Sequence, residues 1–289
     1  MQLNSELNAV VDRSIGCLAG VLVGDDNGGP ANMMMESLEA ILIHNIVNTR
    51  DIGELYLKWF RSDGYDAGIT THKALSYVET GLSFTEAVEQ THKDLDGRTA
   101  GISPAHRSVS LAVLFSYWYV NSPNFFEEFP NTGFHDFKDT VRREARLTHF
   151  HNEASEVSMA VNAICMRFIV GGDLFKSIPF GMNFLTTDWS MDIFGYLESL
   201  AVDDLSNSGY APDVLISALW FLLNTRSFEE AMQQSKEFSG VANYCPVLVG
   251  SIGGAMYGYE GVKTCINASH INHLKRVKLA VNHIANKCD

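Results

Sequence analysis

Basic residues are in short supply: 21 Lys and Arg stand against 34 Asp and Glu, a formal net charge of −13. Nucleic acid is gripped by clustered Lys and Arg, so this balance argues against it as a partner. Basic groups such as Arg142, Arg143 and Arg146 fall among acids and read as a solvated helix face. Cysteine is sparse. Cys17, Cys165, Cys245, Cys265 and Cys288 are widely spaced with no CxxC pair, which suggests neither a disulfide framework nor a zinc site. Cys17 and Cys165 lie in apolar periodic runs and read as small core residues. No uninterrupted stretch of 18 apolar residues is present, and the opening MQLNSELNAVVDRS is amphipathic rather than a charged and then apolar leader. The expectation is a cytoplasmic protein with no membrane partner, in which the acceptor pattern Asn267-Ala268-Ser269 is a chance match. Period-two alternation is almost missing, and no Pro-, Gly- or Ser-rich linker divides the chain, so neither a sheet nor a second domain is expected.

What fills the chain instead is helical periodicity. Leu7, Val10, Val11, Ile15, Leu18, Leu22 and Val23 recur at intervals of three and four and mark one face of a first helix. Gly16, Ala19 and Gly20 on that helix would let a second backbone approach closely. Comparable periodic runs cover roughly 33–48, 51–62, 66–79, 84–94, 105–120, 136–148, 153–170, 190–203, 211–224, 227–237, 245–257 and 268–286, leaving 121–135 and 171–189 as the irregular parts. Ser83 with Glu86 and Ser227 with Glu230 have the spacing of capping boxes. With 46% hydrophobic and 19% charged residues in 289, the chain can bury one large core. The reading is a single all-α domain over 1–289.

Residues with chemical potential are few. Gly24-Asp25-Asp26-Asn27-Gly28-Gly29 offers two acids among flexible glycines, enough to cap the following helix or to attract a cation. His149 and His151 lie two apart, a spacing that points to opposite sides of a helix and makes a paired metal clamp unlikely outside a loop. Ser103 lacks the GxSxG surroundings of a hydrolase nucleophile. Most telling is FSGVANYCP at 238–246, which feeds a glycine-rich helix as a metal or phosphate loop does, yet contains no acid.

The order of these pieces resembles the ADP-ribosylglycohydrolase family. DRSIGCLAGVLVGD is similar to that family's first helix and GDxxG turn, and DIGELYLKWFRSDGYDAGITTHKAL to its Trp-containing helix and Gly-x-Thr segment. GISPAHRSVSLA stands where a GNGxAMRxxPL loop is usual. LTHFHNEASEVSMAVNAI resembles the Thr-His segment, and SGYAPDVLISALWFLLNTRSFEEAM a long distinctive run. FSGVANYCPVLVGSIGGAMYGYEGV occupies the place of GGDTDT and its helix. The resemblance implies a compact all-α domain that holds two Mg²⁺ ions through TDDT and GGDTDT motifs and cleaves a glycosidic bond of ADP-ribose. Mg²⁺ requires hard oxygen ligands in octahedral array, which is why those motifs are rich in aspartate.

Here the motifs are substituted. Pro30 and Ala31 stand for the TDDT aspartates and Asn32 for its second threonine; Val241 and Asn243 stand for the GGDTDT aspartates and Tyr244 for its threonine. No Asp or Glu lies between Gly28 and Met35 or between Gly240 and Tyr259, so a slip of alignment recovers none. Ile102 replaces the asparagine of the GNG loop. Gly101, Ser103, Thr148 and His149 remain as ligand-contacting candidates, beside Arg107 and a glycine spine at Gly250, Gly253, Gly254 and Gly258 read as close helix packing. Two expectations follow. One is a catalytically silent relative needing no metal cofactor and binding an ADP-ribose-like ligand or a protein partner. The other is an active hydrolase with a relocated or metal-independent site, with Asp25 or Asp26 as base.

Overall fold

The computed structural model describes residues 2–44, 47–121, 133–186 and 192–287. Among the described residues the three- and four-residue apolar spacing is realised as fifteen α-helices: α1 (Gln2–Gly24), α2 (Gly29–His44), α3 (Thr49–Ser62), α4 (Ile69–Glu79), α5 (Phe84–Asp94), α6 (Ser103–Arg107), α7 (Val109–Asn121), α8 (Gly133–Ala145), α9 (Asn152–Ile169), α10 (Leu174–Met182), α11 (Ile193–Glu198), α12 (Ala211–Asn224), α13 (Phe228–Ser239), α14 (Tyr244–Val262) and α15 (Ile271–Lys287). The chain is 78% helical, and among the described residues the only β pairing is an isolated antiparallel bridge between Gly101 and Tyr210. The expected all-α class is what is found.

Several helix starts follow from their first residues. Ser83 accepts from the Glu86 N–H at 3.3 Å and its own N–H donates to Glu86 Oε2 at 2.9 Å, a complete capping box for α5. At α13 only half of the device forms. Ser227 Oγ accepts from the Glu230 N–H at 3.1 Å, but Glu230 turns back to accept from the Arg226 N–H at 2.8 Å.

The centre of the molecule is the contact between α1 and α14. Glycines recur every fourth residue on both helices, and the backbones meet where they coincide. A Cβ at Gly20 would lie 1.8 Å from the Gly250 carbonyl oxygen, and one at Gly254 would lie 2.1 Å from that of Gly16. The spine thus works as helix packing, with Gly16, Gly20 and Gly24 of α1 as its counterpart. Glu6–Gly24 is apolar and long enough to cross a membrane by length and composition, but 67% of it is buried within the protein. Near its end α14 breaks at Gly258 (φ 71°), and the Asp12 carboxylate of α1 accepts from the Tyr259 and Glu260 N–H groups where the helix resumes. α7, α9 and α12 complete the core; fourteen residues of α9 are buried. Cys17 and Cys165 are fully buried free thiols in contact, Cys245 is buried, Cys265 is half-buried, and Cys288 lies outside the described residues.

Some elements differ from the periodicity reading. The stretch 171–189 was expected to be irregular, yet Asp173 caps α10 by accepting from the Lys176 N–H at 3.0 Å, and the helix carries Pro179 inside it. The run at 190–203 is shorter than expected: within its described part it forms α11 and a single 3₁₀ turn at Val202–Asp204. The run at 105–120 divides into α6 and α7 at Ser108. Most of 121–135 lies outside the described residues.

Candidate functional site

A cleft of about 440 Å³ opens where the turn between α1 and α2, the loop ahead of α4, α6, the chain before α9, Gly209 and the start of α14 converge. Asp25 organises the first of these segments. Its Oδ1 accepts from the N–H groups of Asn27 (3.1 Å) and Gly28 (2.8 Å), and its Oδ2 from that of Ala31 (2.7 Å), so the carboxylate caps the incoming α2. It is buried. Asp26 points elsewhere: it is exposed, ion-paired with Lys236 Nζ at 2.6 Å, and does not line the cleft.

The carboxylate that faces the cleft is Asp66, in the GYDAGITT stretch. Its backbone is left-handed (φ 58°), a conformation aspartate tolerates better than most residues. The turn packs on Gly29, where a Cβ would lie 2.2 Å from the Asp66 carbonyl oxygen. Burial and the nearby Asp25 carboxylate raise the Asp66 pKa above the ordinary aspartate value, while donation from the Asn243 amide and the Gly29 N–H pulls it back.

Asn243 joins the two acids. Its Nδ2 donates to Asp25 Oδ1 at 2.7 Å and to Asp66 Oδ2 at 3.3 Å. Facing two carboxylates, that atom must be the NH₂ group. Of the other positions read as substituted, Pro30 and Tyr244 line the cleft beside Val241, which is almost fully exposed at its mouth. Ala31 contributes its N–H to Asp25, and Asn32 continues α2 by donating to the Gly28 carbonyl at 2.9 Å.

The floor is braced by a buried ion pair. Arg107 Nε donates to Glu144 Oε1 at 2.6 Å, Tyr56 Oη donates to the same oxygen at 2.8 Å, and the guanidinium lies 4.8 Å from the Tyr56 ring centroid. Both partners of the pair are fully buried. Arg107 thereby anchors α6, which presents Ser103 to the cleft 3.4 Å from Thr71 Oγ1. Ile102 lines the wall beside it and donates its N–H to the Gly209 carbonyl at 3.1 Å.

Two neutral histidines form the remaining wall. Burial drives His106 down to about 4, with Arg107 adding to the effect against the pull of the Tyr244 carbonyl. That carbonyl can only accept, so the proton sits on Nε2 (2.9 Å). Burial and then Arg107 hold His149 well below the usual imidazole value. Its Nδ1 is 2.8 Å from Thr148 Oγ1, which leaves Nε2 toward Gly101, where a Cβ would lie 3.1 Å away. Of the four ligand candidates, Gly101, Ser103 and His149 therefore line the cleft, and Thr148 stands behind His149 as its partner. His149 and His151 both lie in the loop ahead of α9, so helical spacing does not govern where they point; His149 turns to Thr148 and the cleft, whereas His151 caps α9 by accepting from the Glu153 N–H at 3.4 Å.

Residues 31–286 match the family model described as ADP-ribosylglycohydrolase. The chain belongs to the ADP-ribosylglycohydrolase family. Within it, a 60-residue stretch is 33% identical to the ADP-ribosylarginine hydrolase Tri1 of Serratia proteamaculans (strain 568), covering 21% of this chain and 16% of that protein. A solved ADP-ribosylglycohydrolase-related protein complex shares the fold, with a TM-score of 0.69 at 21% identity over 96% of this chain and 99% of that one.

The two Mg²⁺ ions implied by the family resemblance do not fit this donor set. Among the described residues no group of three or more His, Cys, Asp or Glu side chains is placed to hold a metal. Asp25 is engaged by three N–H groups and an amide, and Asp66 by one of each. Two octahedral ions need many more free oxygens than remain, and partial coordination does not offset the dehydration of Mg²⁺. Glu36, the other nearby acid, does not line the cleft.

Proposed function

We propose that this ADP-ribosylglycohydrolase relative is catalytically silent and uses its cleft to bind an ADP-ribose-like ligand, free or carried on a protein. The observation that carries the reading is the donor set: among the described residues Asp66 is the one carboxylate in the cleft wall, and an amide occupies the space between it and Asp25. A di-metal hydrolase relies on its ions to orient the sugar and stabilise developing charge, help whose loss typically costs a few orders of magnitude in rate. The cleft still offers ligand contacts. Gly68 gives no side-chain cap to α4, so the first-turn N–H groups at Ile69, Thr70 and Thr71 are available to phosphate or ribose oxygens beside Ser103 and His149 Nε2. The free thiols at Cys17, Cys165, Cys245 and Cys265 fit a reducing compartment such as the cytoplasm. Calorimetric titration with ADP-ribose, beside a Gly101→Val variant that fills the space facing His149, tests the binding half. Heat lost in the variant supports it, and no heat with the parent protein refutes it.

One observation favours a second reading. The raised pKa of Asp66 is what a metal-independent general acid requires, whereas Asp25 is committed to capping and Asp26 points away from the cleft. Under that reading the parent protein releases ADP-ribose and Asp66→Asn abolishes the release, with Asp26→Ala unaffected.

A further inference from the structure

Asn243 occupies the N-cap position of α14, where an asparagine ordinarily turns its side-chain oxygen back onto the N–H groups of its own helix. Here it makes no such bond. The amide reaches across the cleft instead, bonding residues 218 and 177 positions away in the chain. It is 8% exposed, and both acceptors are carboxylates held by backbone geometry they cannot easily leave: Asp25 by three N–H groups, Asp66 by a left-handed turn wedged against Gly29. Two acids so placed repel one another unless something with positive character stands between them. Among the described residues no Lys or Arg lines this cleft. Among the described residues the NH₂ group of Asn243 is the one donor shared by the pair.

We propose that Asn243 is an internal replacement for a cation, its amide cross-linking the α1–α2 turn, the loop before α4 and the start of α14, and that Asn243→Asp alone converts the cleft into a site for one divalent ion. This rests on the reading that the parent protein holds no metal there, and it adds what took the metal's place. The amide hydrogens neutralise and tie the carboxylates as an ion would, without an ion's need for a full coordination shell. An aspartate at 243 removes the donor and sets a third carboxylate at the same point, so the acids are unstable together without a cation and become oxygen ligands with one. Ca²⁺ suits the result better than Mg²⁺, because it accepts irregular arrays and carbonyl or water oxygens at about 2.3–2.6 Å.

The test is the melting temperature of the full chain in chelator and in millimolar Ca²⁺. The parent protein is expected to melt at one temperature in both. Asn243→Ala should melt lower by roughly 4–8 °C, the scale expected when buried carboxylates lose a hydrogen-bond donor in a domain of this size, and Ca²⁺ should not restore it. Asn243→Asp should melt lower still in chelator and recover several degrees in Ca²⁺, a recovery that Asp66→Ala added to it removes. If both single variants melt with the parent in chelator, or if Ca²⁺ leaves Asn243→Asp unmoved, the replacement role is wrong. A parent protein that itself gains stability from Ca²⁺ or Mg²⁺ fails in a different way, because it overturns the metal-free reading of the cleft. Should Asn243→Asp not fold in chelator, refolding it in Ca²⁺ gives the same answer, and the Asn243→Ala comparison stands on its own.

Discussion

Lowering the pH from 7 to 5 probes the neutral histidines of the cleft wall. An unfolded histidine takes up its proton near 6.5, whereas His106 in the folded protein resists until about 4. The folded pKa is depressed, so the stability this residue permits is complete above 6.5 and drains away as the pH falls toward 4. Between pH 7 and 5 the loss from His106 alone is about 2 kcal/mol, a sizeable share of the roughly 5–15 kcal/mol that holds a typical domain together. His149, His270 and His273 are shifted in the same direction, chiefly by burial, and add to the slope. Asp12, Glu36 and Asp66 oppose it, since burial raises their pKa values and so favours the folded state as acidity increases. Urea unfolding at the two pH values, for the parent and for His106→Gln, isolates the residue, because glutamine can still donate to the Tyr244 carbonyl but does not titrate. The parent should lose at least about 2 kcal/mol and the variant about 2 kcal/mol less than the parent. A variant with the parent's full pH dependence, or an NMR titration in which the His106 ring protonates near 6.5, refutes the reasoning.

Gly20→Ala forces a methyl against the Gly250 backbone, which cannot move aside as a side chain can, and should cost about 3 kcal/mol or more in thermal unfolding. A variant as stable as the parent contradicts the backbone contact between α1 and α14. Arg107→Met strands the buried Glu144 carboxylate and should cost about 3–5 kcal/mol, part of it recovered when Glu144→Gln is added. Denaturant curves of the two variants check this, and equal losses in both would mean the charge is not the cause.

Most of the helical architecture was legible because most helices carry their own evidence, an apolar stripe or a cap such as Ser83 with Glu86. The glycine spine was legible as close packing, since glycines four residues apart on a helix share a face. What was not legible depends on residues brought together from far apart. Nothing near Asp66 distinguishes it from a surface turn, and its importance comes from a left-handed backbone and from Asp25 and Asn243. Asn243 was readable as a missing acid, but not as a bridge, because its partners lie in other segments. Thr148 is a ligand candidate through the resemblance of its segment to the family's Thr-His segment, and only the fold turns its hydroxyl toward the imidazole Nδ1 of His149. α10 escaped notice because Pro179 and the flanking Gly171 and Gly172 are helix-breaking signals, which the Asp173 cap and burial of Ile178 and Met182 override.

The central claim, a retained cleft without its metal chemistry, is tested most directly by release of ADP-ribose from a peptide ADP-ribosylated on arginine or serine, with and without millimolar Mg²⁺. The donor set around Asp25, Asp66 and Asn243 predicts release no faster than the uncatalysed background under both conditions. Robust release that depends on Mg²⁺ would contradict the account outright, and robust release without Mg²⁺ that Asp66→Asn abolishes would replace it with a carboxylate-catalysed hydrolase.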